Sequence, residues 1–361
     1  KNWLPQRLPY VRAVPLARAT VSLSPPAVLT LGFIVLIVVG AALLLLPVAT
    51  TAPISVLQAL FTATSAVTVT GLVVVDTGTQ FSLFGQLVIA LLIQAGGLGF
   101  MTFAVVAAIS LGAKIGLTQQ KIAQEAMNQT SLAQVAQTAK AVLLYSLLIE
   151  LVGITLLTLV WWGELGFSSA LYHGFFYTIS AFNNAGFALS SASLMPYASD
   201  IAVNLIITGL FIIGGIGFTV MIDINKQRRW RLLSTNTRIV LLATLIINLL
   251  AFCLIWLLEA NNPATLANLP LKDQALAAWF QAVTPRTAGF NTLDYSQMTD
   301  ASNVLTLLLM FIGGGSLSTA GGIKLGTFVV LLLATRAFLR RHDDVRNFRP
   351  VAAHAPKSVR L

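Results

Sequence analysis

Three stretches of this chain carry one pattern, and that repetition constrains the fold more than any other feature. They read Ser65-Ala-Val-Thr-Val-Thr-Gly71-Leu72, Ser180-Ala-Phe-Asn-Asn-Ala-Gly186-Phe187 and Val283-Thr-Pro-Arg-Thr-Ala-Gly289-Phe290. The glycines lie 115 and 103 residues apart, each between two stretches apolar enough to cross a membrane. The residues ahead of them align without gaps, as Phe61-Thr-Ala-Thr-Ser65, Phe176-Tyr-Thr-Ile-Ser180 and Trp279-Phe-Gln-Ala-Val283. Behind them, Gln94-Ala-Gly-Gly-Leu-Gly-Phe100 parallels Ile212-Ile-Gly-Gly-Ile-Gly-Phe218, and Gly313-Gly314-Gly315 takes that place a third time. A repeat of this size in a membrane chain implies pseudo-symmetry about a transport path.

With 57% apolar and 9% charged residues, the chain reads as an all-α polytopic membrane protein. Six stretches are long enough to span roughly 30 Å of hydrocarbon: 27–47, 81–111, 141–163, 201–222, 239–258 and 301–335. The second and sixth exceed what a straight span needs, so tilt, a break or a cytoplasmic extension is expected. Each unit then comprises an outer helix, a short reentrant pore helix, a filter loop and an inner helix. Residues 1–111 hold a basic cytoplasmic amino terminus and the first unit, 112–222 the second, and 223–361 the third with a broken inner helix and a basic cytoplasmic tail.

Charge sets the orientation. Of 22 Lys and Arg residues, 19 fall in segments 1–26, 112–140, 223–238 and 336–361, while 48–80, 164–200 and 259–300 hold only Lys272 and Arg286. Cytoplasmic loops concentrate bases, which places the amino terminus inside. The net charge of +10 thus reflects topology and anionic lipid. The basic clusters lack the aromatic interleaving of a nucleic-acid surface. The residues before the first apolar run are polar and contain proline, unlike a signal peptide. Cys253 is the only cysteine and reads as a small apolar core residue, leaving no intrachain disulfide or cysteine metal cluster.

The segments 54–65, 169–181 and 273–283 are too short to span and too apolar for solvent loops. Non-helical backbone at membrane depth is tolerated where protein or a water-filled cavity surrounds it. A short helix entering from outside turns its partly negative carboxyl end toward the membrane centre, which favours a cation there. A dehydrated cation needs oxygens in place of water, and backbone carbonyls supply them without a buried fixed charge. Glycine permits the positive φ that such a loop demands. The expected filter comprises Thr68, Val69, Thr70, Gly71 and Leu72; Asn183, Asn184, Ala185, Gly186 and Phe187; and Arg286, Thr287, Ala288, Gly289 and Phe290. Side chains are expected to brace the loops from behind, with Arg286 turned away from the axis and paired with a carboxylate. Asp76 and Asp294, each five residues past a filter glycine, read either as an anionic outer rim or as ordinary surface carboxylates.

These motifs resemble the Trk/Ktr/HKT superfamily of potassium transporters, and within it the KtrB-type membrane subunits of bacterial Ktr systems. The resemblance rests on the three glycine segments and on Gly313–Lys324, spread over nearly the whole chain. It implies one pseudo-fourfold pore per protomer, with potassium as principal substrate bound near Gly71, Gly186 and Gly289. Serine in place of the first filter glycine goes with sodium permeation in that superfamily, and this chain has Gly71. The family also implies a bacterial cytoplasmic-membrane location and a homodimer on a cytoplasmic ring of nucleotide-binding regulatory subunits of RCK type. ATP and ADP would act on that ring, and uptake is commonly sodium-stimulated. The family has four units, so a fourth is expected in the native protein beyond the three visible here.

Gly313-Gly-Gly-Ser-Leu-Ser-Thr-Ala-Gly-Gly-Ile-Lys324 cannot make a good helix, since each glycine costs about 1 kcal/mol relative to alanine. Apolar runs continue on both sides, so a broken helix lining the cavity below the filter is expected. Close packing of helices through small residues is the other reading. The resemblance implies an intramembrane gate here, carried by Gly313, Gly314, Gly315, Ser316, Ser318, Thr319, Gly321, Gly322 and Lys324. Lys324 is a base inside a predicted span and could repel cations, pair with an acid or act as a snorkelling anchor. Glu150, an acid inside a span, reads as one end of a buried pair or hydrogen bond. The stretches 112–140 and 223–238 and the tail from Arg336 are candidate docking surfaces for a regulator.

Two rival functions are weighed against conduction. Gly314-Gly-Ser316 resembles the Gly-x-Ser of an intramembrane serine protease, but His173, His342 and His354 all lie outside the core spans, so no base is at hand. A non-enzymatic function is therefore expected. An alternating-access secondary carrier for another small cation is the alternative. Carriers favour inverted repeats and intramembrane charges, whereas these units run in parallel and carry backbone filters.

Overall fold

The computed structural model describes residues 25–99 and 132–340. The basic amino-terminal segment, the far end of the predicted 81–111 span, most of the 112–140 stretch and the tail from 341 with His342 and His354 lie outside them. The described chain is helical: α1 Pro25–Leu44, α2 Val56–Val67, α3 Leu83–Gly97, α4 Leu132–Leu165, α5 Phe167–Phe182, α6 Ile201–Ile216, α7 Phe218–Gln227, α8 Thr235–Glu259, α9 Leu271–Val283, α10 Asp300–Phe311 and α11 Leu325–Leu339. Among the described residues, α4 (from Gln137) and α8 are long and apolar enough to cross a membrane.

Helix starts follow side chains that satisfy the orphan amides of a first turn. Ser55 opens α2 with a reciprocal box, its Oγ accepting from Gln58 N at 3.2 Å and its own N–H donating to Gln58 Oε1 at 2.8 Å. Asp200, Ser234 and Thr299 accept from the third amide of α6, α8 and α10 in the same way. Gly166, at φ +75°, separates α4 from α5 and turns the chain into a tightly packed helical hairpin.

The predicted 201–222 span is bent rather than straight. The helices α6 and α7 meet at 89° across Gly217, whose φ of +96° is closed to most side chains. A Cβ on Gly217 would also lie 2.3 Å from the Ser316 carbonyl, so the bend is held by the glycine segment packed into it. The 301–335 stretch is broken as its glycines require. The helix α10 stops at Phe311, the chain loops out, and Ile312 and Ile323 pair as an isolated parallel bridge before α11 begins.

Fully buried phenylalanines mark the interior: Phe176 and Phe187 within the cluster around α1–α3, and Phe182, Phe280 and Phe290 where α4, α5, α6 and α9 meet. Large apolar side chains such as Leu245, Ile246 and Leu257 face outward, as expected when hydrocarbon rather than water is outside. Helix association in that solvent depends on close packing, which small residues permit. Gly96 and Gly214, paired by the sequence repeat, each abut the end of a short helix. A Cβ would lie 1.9 Å from Val67 O and 1.9 Å from Phe182 O, respectively.

Candidate functional site

The helices α2, α5 and α9 match the three segments that are too short to span, and each runs directly into a glycine loop. In all three loops the glycine and the residue two before it have positive φ: Val69 at +53° and Gly71 at +79°, Asn184 at +58° and Gly186 at +72°, Thr287 at +73° and Gly289 at +81°. The residue ahead of the first two pairs is right-handed, Thr68 at φ −84° and Asn183 at φ −81°. The helix ends clamp the loops. Thr70 N donates to Ser65 O at 2.8 Å, Ala185 N to Ser180 O at 2.8 Å, and Ala288 N to Thr284 O at 3.0 Å. Two hydroxyls close the far side: Ser180 Oγ donates to Phe187 O at 2.7 Å and Thr284 Oγ1 to Phe290 O at 2.5 Å.

The three loops meet. A Cβ on Gly71 would lie 2.3 Å from Ala185 O, and one on Gly186 would lie 2.8 Å from the Gly289 Cα. No side chain fits between them.

Side chains make hydrogen bonds to and around these loops. At the position three before each loop glycine, Thr68 Oγ1 lies 2.7 Å from Thr70 Oγ1, and Asn183 Nδ2 donates to Gln94 Oε1 at 2.7 Å. Gln94 Nε2 in turn donates to Glu150 Oε1 at 2.8 Å, so the buried acid is hydrogen-bonded. Among the described residues Arg286 takes no carboxylate. Its guanidinium donates to Asn248 Oδ1 at 2.9 Å and to Gly313 O at 3.1 Å, because the span beside it offers an amide and a free carbonyl. Gln94 and Asn248 are the site residues that sequence reasoning missed; their signal is an amide inside an otherwise apolar run.

The glycine segment lies against two of the loops. Thr319 Oγ1 accepts from Asn184 Nδ2 at 2.7 Å and donates to Phe182 O at 3.0 Å, while Gly321 N donates to Thr287 Oγ1 at 3.3 Å. Its other edge is pinned to the α6–α7 bend by Gly315 N to Gly215 O at 2.8 Å and Phe218 N to Leu317 O at 2.8 Å. Among the described residues Lys324 pairs with no acid; Nζ donates to Ala320 O at 2.7 Å and caps the segment it ends. Ser316 gives its carbonyl to Thr219 Oγ1 at 3.2 Å, and Gly322 holds φ +67° where the segment turns back. A cavity of about 850 Å³ opens beside the loops, lined by Thr68, Thr70, Gly97, Thr287, Gly289 and Thr319 among others. Asp76 and Asp294 start short turns after their loops, accepting from Thr79 N at 2.8 Å and Ser296 N at 2.9 Å.

Residues 27–354 match the TrkH family, described as cation transport protein. The chain belongs to this family. Among its relatives, the Ktr system potassium uptake protein B of Bacillus subtilis is 52% identical over 329 residues, covering 91% of this chain and 74% of that protein. The protein of the same name from Vibrio alginolyticus is 42% identical, covering 90% of this chain and 72% of that one. The crystal structure of the potassium transporter TrkH from Vibrio parahaemolyticus superimposes with a TM-score of 0.67 at 25% identity, covering 90% of this chain and 64% of that one. A TrkH-family chain is an ion transporter and not an enzyme, and its apolar helices are those of a membrane protein.

Proposed function

We propose that this chain forms the potassium-conducting membrane subunit of a Ktr-type uptake system in a bacterial cytoplasmic membrane, with its amino terminus inside. One observation carries the proposal: φ alternates in sign through three loops whose glycines are in contact. Alternating handedness turns successive carbonyls to one side of the backbone and the amides to the other. Oxygens so aligned, at the carboxyl ends of three short helices, can replace the water of a bare cation. The ion-facing atoms are then the backbone oxygens of Thr68–Gly71, Asn183–Gly186 and 286–289.

The glycine segment 313–324 serves as the gate. Its hydrogen bonds to Asn184 and Thr287 hold it against the loops, and its glycines leave the backbone free to take a second path. The units 1–111, 112–222 and 223–361, with a fourth beyond them, surround one pseudo-fourfold pore. The protomer pairs as a homodimer in lipid and sits on an RCK-type ring that binds ATP or ADP, with sodium stimulating uptake. The names of its Ktr relatives support potassium as the cargo and the existence of a system partner.

Potassium uptake by full-length protein in cells lacking their own potassium systems tests this with G289S. Loss of potassium affinity at unchanged protein level is expected; unchanged uptake removes the filter assignment.

A further inference from the structure

The position three before each filter glycine is held differently in each loop, and the second is tied to the only buried acid of α4. Asn183 Nδ2 uses both protons, giving one to Gln94 Oε1 at 2.7 Å and one to Ile179 O at 3.0 Å. Gln94 gives its own amide proton to Glu150 Oε1 at 2.8 Å, which leaves its oxygen free to accept from Asn183. An acceptor at Glu150 therefore decides which way two amides face in turn. Among the described residues Asn183 Oδ1 has no hydrogen-bond partner, and it points at Gly97, where a Cβ would lie 2.2 Å away. Gly97 lines the cavity beside the loops.

We infer that Glu150 is a positioning residue for ion selectivity, acting through Gln94 to fix the orientation of the Asn183 side chain and hence of the second filter loop. The chain of bonds joins α4, α3 and the loop after α5, three elements with no covalent reason to stay in register. Losing the acceptor lets the Gln94 amide reverse and offer a proton to the orphan Asn183 Oδ1, which pulls Asn183 away from Ile179. A plain structural role makes a different prediction, a loss of stability with ion preference unchanged, since removing one partner of a buried polar link leaves the other unpaired.

The inference rests on the filter assignment above, and its test is run beside G289S so that the two fail separately. In full-length protein, E150Q keeps an oxygen acceptor and E150L removes it. Potassium-over-sodium selectivity is expected to fall about tenfold in E150L, the scale of one lost buried hydrogen bond. It is expected to stay at the wild-type level in E150Q, with melting temperature in detergent preserved in both. If E150L fails to reach the membrane, the double variant E150L/Q94L carries the same expectation by a shorter route, because it leaves no unpaired group between α3 and α4 and strips Asn183 Nδ2 of the acceptor that orients it. Wild-type selectivity in the acceptor-free variant, with G289S impaired, overturns the positioning role and leaves the filter standing. Wild-type selectivity in both overturns the filter first.

Discussion

The Asn184 amide donates to the Thr319 hydroxyl at 2.7 Å across 135 residues of sequence, and that hydroxyl passes its own proton to Phe182 O at 3.0 Å. One threonine thus ties the glycine segment to the second loop at two points. Movement of the segment would strip Asn184 of this partner, so under the proposed roles gate position and filter geometry are linked through a buried side chain.

T319V keeps the shape and deletes both bonds. Two hydrogen bonds of ordinary net worth, about 1 kcal/mol each, hold the segment against the second loop. Potassium flux into proteoliposomes without stimulation is expected to rise about thirtyfold.

Gly96 and Gly214 seat α3 and α6 against the ends of α2 and α5. G96A and G214A drive a methyl into a backbone carbonyl, so each is expected to lose about 1–3 kcal/mol. Thermal melts in detergent check this, with G163A as control. Gly163 has nothing within 4 Å of an added Cβ, and alanine there is expected to be neutral or slightly stabilising.

R286K keeps the charge and loses the planar fork that reaches Asn248 and Gly313 O together. Lysine cannot hold both acceptors in that geometry. Potassium affinity in uptake assays is expected to fall about tenfold, with protein level retained.

Asp294 carries a pH signature on the surface. The Ser296 hydroxyl and amide donate to its carboxylate and hold its pKa below the ordinary value. The folded pKa is depressed, so its contribution is whole above the unfolded pKa of about 4 and is lost as pH falls below that. Stability of D294N is expected to vary less than wild type across that acid range, read by melting temperature against pH.

Much of this architecture is legible from the sequence because glycine is hard to disguise in an apolar run. The three loops stand out since Gly71, Gly186 and Gly289 recur behind matching segments, and their positive φ is what that residue type permits. The break after Phe311 is legible for the same reason. The bend at Gly217 is not, because Ile201 to Ile224 reads as one hydrophobic stretch apart from Asp223. The motif Gly-Gly-x-Gly-Phe, shared by 96–100 and 214–218, was the available hint. The partner of Arg286 was hidden differently. Electrostatic expectation points to a carboxylate, but Glu150 is already engaged by Gln94, and the tertiary fold supplies Asn248 and an unpaired carbonyl instead.

The most direct measurement of the central claim is potassium uptake against sodium uptake by full-length protein, with and without G71S, in cells lacking their own potassium systems. Gly71 holds φ +79° with Ala185 O 2.3 Å from where its Cβ would be, so serine must distort the place where the loops meet. The account predicts high-affinity potassium uptake that loses its preference over sodium in the variant. Selective uptake indifferent to the substitution would contradict it.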